Sequence, residues 1–332
     1  MSRADAAAAI LWVGATFYAL FGGADFGGGF WDLFAGDAEK GRRPRMLIQR
    51  SLTPVWEANH VWLIFILVVL WTAFPPAFSA VFTTLYVPIA LAALGIVLRG
   101  AGFAFRKSVV TLNEERTAGA VFALSSLLTP FFMGAVVGAI ASGEVPADGN
   151  GEPFSSWLAP LPLLTGAMFV ATGAYLSAVF LVGDARRAGD GELERYFVRR
   201  ALGAGAVAGL FAAVGLVELH AEARYVFDRL LAEGLPLVIL SAICGFGLLA
   251  ALWRGWRRPI RPLAAGAVVA VIWGWGVAQF PYLLPTSLRI DQAAAPDPTL
   301  TIIFIVFAIA AVLVLPSLFL LYTLSQRDLL EH

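Results

Sequence analysis

Nine stretches of this chain are each apolar for roughly 20 residues, the length an α-helix needs to cross a hydrocarbon core about 30 Å thick. They fall near 7–31, 54–74, 80–103, 118–141, 158–183, 201–219, 235–253, 263–284 and 299–323. With 59% hydrophobic and 14% charged residues and a mean hydropathy of +0.79, the chain lies outside soluble composition. In lipid every backbone N–H and C=O must be satisfied within the protein, which makes apolar spans of this kind helical. The expected fold is therefore an all-α integral membrane protein of nine transmembrane helices, with residues 1–332 forming one polytopic domain. Met1-Ser2-Arg3-Ala4-Asp5 runs straight into the first span without a convincing basic region or cleavage site, so this span reads as retained.

The net charge of zero conceals an alternation between loops. Lys40, Arg42, Arg43, Arg45, Arg50, Arg106, Lys107, Arg116, Arg186, Arg187, Arg195, Arg199, Arg200, Arg254, Arg257, Arg258, Arg261 and Arg327 fall on one side of the spans. Arg3, Arg224, Arg229 and Arg289 fall on the other. The positive-inside rule then puts the N-terminus outside and the C-terminus in the cytoplasm, a parity that nine spans satisfy. Trp31, Trp56, Trp253 and Trp256 near one set of ends, and Trp71 and Trp157 near the other, suit interfacial anchors.

Gly14-Ala15-Thr16-Phe17 followed by Gly36-Asp37-Ala38 is echoed by Gly166-Ala167-Met168-Phe169 followed by Gly183-Asp184-Ala185. Both sets lie on inward-running spans, four spans apart. This suggests two pseudo-symmetric four-helix bundles, helices 1–4 (about 7–141) and 5–8 (about 158–284), plus a ninth helix (about 299–323). Gly134 with Gly138, and Gly205 with Gly209, have the spacing that lets helices approach closely.

Ionisable groups inside a membrane cost about 2.5–3.5 kcal/mol each on insertion scales, and they persist where they pair, conduct or catalyse. Asp25 lies about two turns before the inner end of span 1, and Glu57 about one turn after the start of span 2, so the two acids share a depth. His60 follows Glu57 by three residues on the same helical face, about 4.5 Å deeper. Glu57, Asp25 and His60 are thus a candidate proton path from the cytoplasm. The bland alternative has Glu57 snorkelling or pairing with Arg45 or Arg50, and His60 bonding a carbonyl. Asp32 and Asp37 read as interfacial and solvated, and Glu218 and His220 as exposed at an outer end.

The single cysteine, Cys244, excludes an intrachain disulfide, a Cys-rich zinc site and an iron–sulfur cluster. Haem iron needs axial ligands, usually His or Met. His60, His220 and His332 lie at different depths, and Met133 and Met168 read as packing. The chain alone should carry no haem or metal, so a redox role would require a partner subunit. There is no P-loop, His-Glu-x-x-His or Gly-x-Ser-x-Gly, and the loops are too short for a soluble catalytic domain. The loop cations follow from the membrane without nucleic acid.

Several motifs closely resemble subunit II of the cytochrome bd-type quinol oxidases: Pro54-Val55-Trp56-Glu57-Ala58-Asn59-His60-Val61-Trp62-Leu63-Ile64, Ala24-Asp25-Phe26-Gly27-Gly28-Gly29, Leu98-Arg99-Gly100 with Phe103, Phe105 and Arg106, and Phe280-Pro281-Tyr282-Leu283-Leu284-Pro285-Thr286-Ser287 leading to Ala293-Ala294-Ala295-Pro296. The resemblance implies a heterodimer in the bacterial plasma (inner) membrane that oxidises quinol, reduces dioxygen to water and generates proton-motive force in the aerobic respiratory chain. It further implies that subunit I ligates the b-type haems and the d-type haem and carries the quinol site, with small accessory subunits possible. Subunit II would scaffold its partner and line a proton-uptake path, with the family acid of span 2 at Glu57 and the second acid of an Asp-Gly-x-Asp element at Asp25. Two positions depart from the family pattern: Gly22 replaces the first acid of that element, and Ala104 stands between Phe103 and Phe105 where an acid is usual. The residues alone also suit a proton-coupled secondary transporter, or a subunit whose polar groups only lock helices together.

Overall fold

The computed structural model describes residues 2–36, 39–106, 112–256 and 258–326; the side chains of 52–58, 103, 105, 106, 112–117, 315, 318, 319, 321, 322 and 324–326 lie outside that description. The chain folds into α1 (Arg3–Leu33), α2 (Arg42–Ala73), α3 (Pro75–Thr84), α4 (Tyr86–Arg106), α5 (Leu112–Ser142), α6 (Pro160–Arg187), α7 (Gly191–Glu222), α8 (Arg224–Ala232), α9 (Leu235–Trp253) and α10 (Ile260–Gln279). A small hairpin, β1 (Tyr282–Leu284) and β2 (Leu288–Arg289), then leads to α11 (Ile290–Ala293) and α12 (Asp297–Gln326).

Local chemistry sets most boundaries. Ser2 and Asp5 start α1 as a reciprocal capping box, with Asp5 N–H donating to Ser2 Oγ at 3.0 Å and Ser2 N–H to Asp5 Oδ2 at 2.8 Å. Asp190 caps α7, where its Oδ1 accepts from the N–H groups of Glu192 and Leu193. Pro75 and Pro76 cannot continue α2, but their fixed φ suits a first helical turn, so α3 leaves the Asn59–Ala73 part of α2 at 116°.

Two of the expected spans are modified. The segment expected at 80–103 is divided at Leu85 between α3 and α4. The one expected to run to 284 stops at Gln279, because Pro281 has no N–H to donate, and 282–289 turn back as the antiparallel hairpin with Thr286 in the left-handed region at its tip. By length and composition, seven helices among the described residues can cross a membrane, or eight if the bent α2–α3 pair is one span.

Helix α6 is central, with 61% of its most apolar stretch buried, against 6% for α7 and for α12. It packs on α1, α5 and α7; α1 also packs on α2 and α5, α4 on α5, α9 on α10, and α12 along α2. The close approaches run through glycines. A Cβ on Gly27 would overlap the Gly173 carbonyl, one on Gly134 would lie 2.7 Å from the Thr165 carbonyl oxygen, and one on Gly138 would lie 2.6 Å from the Pro162 Cα. Gly134 and Gly138 therefore behave as their spacing predicts. Gly205 touches Leu249 and Tyr175, but Gly209 has nothing within 4 Å: α7 is peripheral, and that turn faces away from every other helix.

A buried ion pair as the candidate functional site

The glycine-rich run after Asp25 clears space for a charge from another helix. Gly27 brings α6 against α1, while a Cβ on Gly29 would overlap Ser126 and lie 2.9 Å from Arg99 Nη1. In that space the Arg99 guanidinium, from α4, reaches across α1. Its Nη2 donates to Asp25 Oδ1 at 2.7 Å and to the Asp25 carbonyl at 3.0 Å, and its Nη1 donates to Ser126 Oγ on α5. Its Cζ lies over two rings, 4.8 Å from the Phe26 centroid and 4.5 Å from that of Phe122. Arg99 is 1% and Asp25 2% exposed, so both charges are dry. Desolvating each costs several kcal/mol, repaid only by close pairing and further hydrogen bonds, and that is the arrangement found.

Helix α2 supplies the other polar groups. Asn59 is buried, its Nδ2 donates to the Phe21 carbonyl at 3.1 Å, and its amide also bears on the Asp25 carboxylate. His60, half-buried, interacts electrostatically with the same carboxylate. Two of the three residues singled out from sequence, Asp25 and His60, thus lie within electrostatic reach of each other. The third, Glu57, has its backbone in α2, and its side chain lies outside the described residues.

Tyr18 completes the surroundings. Its ring lies 3.0 Å from where a Cβ on Gly22 would stand, its hydroxyl is 3.6 Å from Met133 Sδ, and it senses the charges of both Asp25 and Arg99. The position where an acid was expected beside Asp25 is therefore covered by an aromatic ring carrying a hydroxyl.

Sequence reasoning missed Arg99 as a partner, although it is the one cation that falls within an apolar span and in neither set of loop charges. That isolation was the available signal. Asp32 is a correction: it is 3% exposed and not solvated, because Arg45 at the start of α2 folds over the end of α1, placing Nε 3.5 Å from Asp32 Oδ1 and donating from Nη2 to the Gly36 carbonyl at 2.6 Å. Asp37 lies outside the described residues.

Among the described residues the donor set does not fit a haem. His60 lies within electrostatic reach of Asp25, His220 is exposed at the end of α7 against Arg224, and His332 lies outside the described residues. The Met133 sulfur already faces the Tyr18 hydroxyl. Among the described residues no three His, Cys, Asp or Glu side chains gather as a metal site would require.

A family model described as cytochrome bd terminal oxidase subunit II matches residues 4–325. A putative cytochrome bd menaquinol oxidase subunit II of Bacillus subtilis (strain 168) is 22% identical, over 97% of this chain and 95% of its own. The cytochrome bd ubiquinol oxidase subunit 2 of the same organism is 28% identical, over 93% of this chain and 89% of its own. Among solved structures, a chain of the bd oxidase from Geobacillus thermodenitrificans superposes with a TM-score of 0.82 at 24% identity, covering 98% of both chains, a likeness of fold.

Proposed function

Because the chain belongs to the cytochrome bd terminal oxidase subunit II family, we propose that it is the haem-free subunit of a respiratory quinol oxidase and lines the route by which protons enter the complex. The observation that carries this reading is the dry Asp25–Arg99 pair with His60 within its electrostatic reach. An ion pair that is neutral as a whole, held rigidly by Ser126 and two rings, offers a fixed negative oxygen at the end of α2's polar face. The His60 imidazole, within reach of that field, is the donor and acceptor through which α2 would pass a proton toward it. Glu57 precedes His60 by three residues, nearly one helical turn, which supports a path running Glu57, His60, Asp25. With no acid at Gly22, Tyr18, whose ring covers that position and which senses the Asp25 charge, would supply the polar group there.

The relatives' names speak of menaquinol and ubiquinol, which supports a quinol as electron donor here. The misfit of this chain's donors to a haem supports placing the b-type and d-type haems, and the quinol site, in a subunit I. The wide apolar faces of α2 and α12, including Ile64, Trp71, Val306 and Val312, are surface that lipid or that partner would cover. Nine spans in two four-helix bundles plus α12, residues 1–332 as one membrane domain, an N-terminus outside and a bacterial inner membrane complete the proposal. The charge alternation and the mutual packing of α1 and α6, which carry the two sequence echoes, support it.

The test is Glu57→Gln in the complex co-expressed with its haem-bearing partner. Quinol-driven oxygen consumption should fall on the order of ten-fold or more, with haem content and assembly unchanged. Unchanged turnover and pH profile would leave Glu57 with no part in proton delivery. A wild-type complex that holds no haem and consumes no oxygen with quinol would overturn the oxidase reading itself.

A further inference from the structure

A second constellation lies away from the ion pair, at the Arg-rich end of the bundle. The last turn of α6, Arg258 and the first turn of α10 border an open recess of about 350 Å³ lined by Val182 and Ile260 and by Arg186, Arg187, Arg258 and Arg261. Its shape depends on Gly183, since a Cβ there would lie 2.7 Å from Arg261 Nη2. Arg261 is fixed: Nη2 donates to the Phe180 carbonyl at 3.0 Å and to Asp184 Oδ1 at 2.7 Å. Arg187 shares that same carboxylate. Arg186 and Arg258, both exposed, pair with no carboxylate among the described residues. Four guanidinium groups against one carboxylate leave an excess of three positive charges around a concavity, two of them on groups free to turn inward.

A solvated basic face, the ordinary consequence of positive loops, has no need of a shaped recess or of an arginine pinned to hold it open. The level of the recess is also informative. It stands where three apolar helices end, and the neighbouring Trp253 and Trp256 are 82% and 59% exposed, as side chains at the headgroup level of a bilayer are. Guanidinium forks there match the geometry and charge of phosphate oxygens, and basic recesses between membrane helices are suited to lipid headgroups.

We propose that this recess binds a phosphate group, Arg186 and Arg258 closing on its oxygens while Arg187 and Arg261 supply the fixed positive field. The group can arrive on an anionic phospholipid or as free phosphate, and the assay separates these sources. The assembled complex, stripped of lipid in detergent, is titrated with phosphatidylglycerol, with phosphatidylcholine and with inorganic phosphate. Binding is read as the shift in thermal unfolding midpoint and as lipid retained in native mass spectra. Arg186→Gln/Arg258→Gln should bind the probe roughly 30-fold more weakly, from the loss of two interfacial cations, and lose the retained lipid. Arg186→Lys/Arg258→Lys should keep most of the binding. Stabilisation by phosphatidylglycerol alone identifies a lipid site, and an equal shift with inorganic phosphate identifies a free phosphate site. Shifts that are the same in the wild type and the Gln pair for every probe, or no shift with any probe, would overturn the proposal.

Discussion

Replacing Arg99 by Met removes a charge of similar length from a site with no water to take its place. Asp25, 2% exposed, would lose the guanidinium at 2.7 Å, and its carbonyl would lose the donor at 3.0 Å. Ser126 would lose its arginine contact, and the Phe26 and Phe122 rings the cation over them. The rings favour an apolar replacement, so packing partly survives; the lone carboxylate dominates. Breaking a buried pair from one side costs about 3–5 kcal/mol, a large part of a typical folding free energy of about 5–15 kcal/mol. Making Asp25→Asn in the same background removes the stranded charge while keeping the shape, leaving chiefly the loss of hydrogen bonds. The double variant should therefore be more stable than Arg99→Met alone, with a coupling energy of about 2–3 kcal/mol. Unfolding of the detergent-solubilised complex by sodium dodecyl sulfate, followed by tryptophan fluorescence, gives all four corners of the cycle. If Arg99→Met falls within about 1 kcal/mol of wild type, or the two losses simply add, the pair does not hold these helices together in the manner described.

Gly27→Leu should cost about 1–3 kcal/mol by driving α1 off the Gly173 carbonyl of α6, whereas Gly209→Leu, with nothing within 4 Å, should be near neutral; the same unfolding titration compares them. The Asp190 carboxyl is held below its ordinary 3.8 by the Leu193 N–H and by Arg43, whose Nη2 lies 2.6 Å from Oδ2. Because its native value is lowered, its contribution is complete above pH 3.8 and disappears as pH falls through the native value, so Asp190→Ala should destabilise at neutral pH and match wild type at sufficiently acid pH. A difference that persists unchanged into acid would mean that the carboxylate charge is not what caps α7.

The helices themselves were legible because the signal is local. An apolar run of about 20 residues has one stable solution in lipid, and the expected stretches fall largely on helices, although that at 80–103 is divided at Leu85 and that at 263–284 ends in a hairpin, leaving seven or eight among the described residues long and apolar enough to cross. The prolines at 75 and 76 carried the bend after α2 just as locally, yet the 116° turn depends on where α3 lands among its neighbours. The candidate site was half legible. Asp25 and His60 stood out as polar groups in apolar runs, but nothing near Asp25 in the chain points to Arg99, 74 residues away. Asp32 misled for the same reason: its neighbours in sequence suggest an interface, while Arg45 folds over it.

What the amino-acid order by itself determined is that this chain must enter a membrane, that its apolar stretches become helices there, and which few residues stay polar among them. Those follow from transfer free energies summed over windows, and need no knowledge of what packs on what. Only the tertiary structure decided that the glycines after Asp25 are a passage for Arg99, that a tyrosine ring covers Gly22, and that four arginines around Gly183 border a recess. Helix packing brings together side chains whose separation along the chain carries no record of their separation in space. In a dry interior, those meetings set whether a charge is stranded, paired or ready to act.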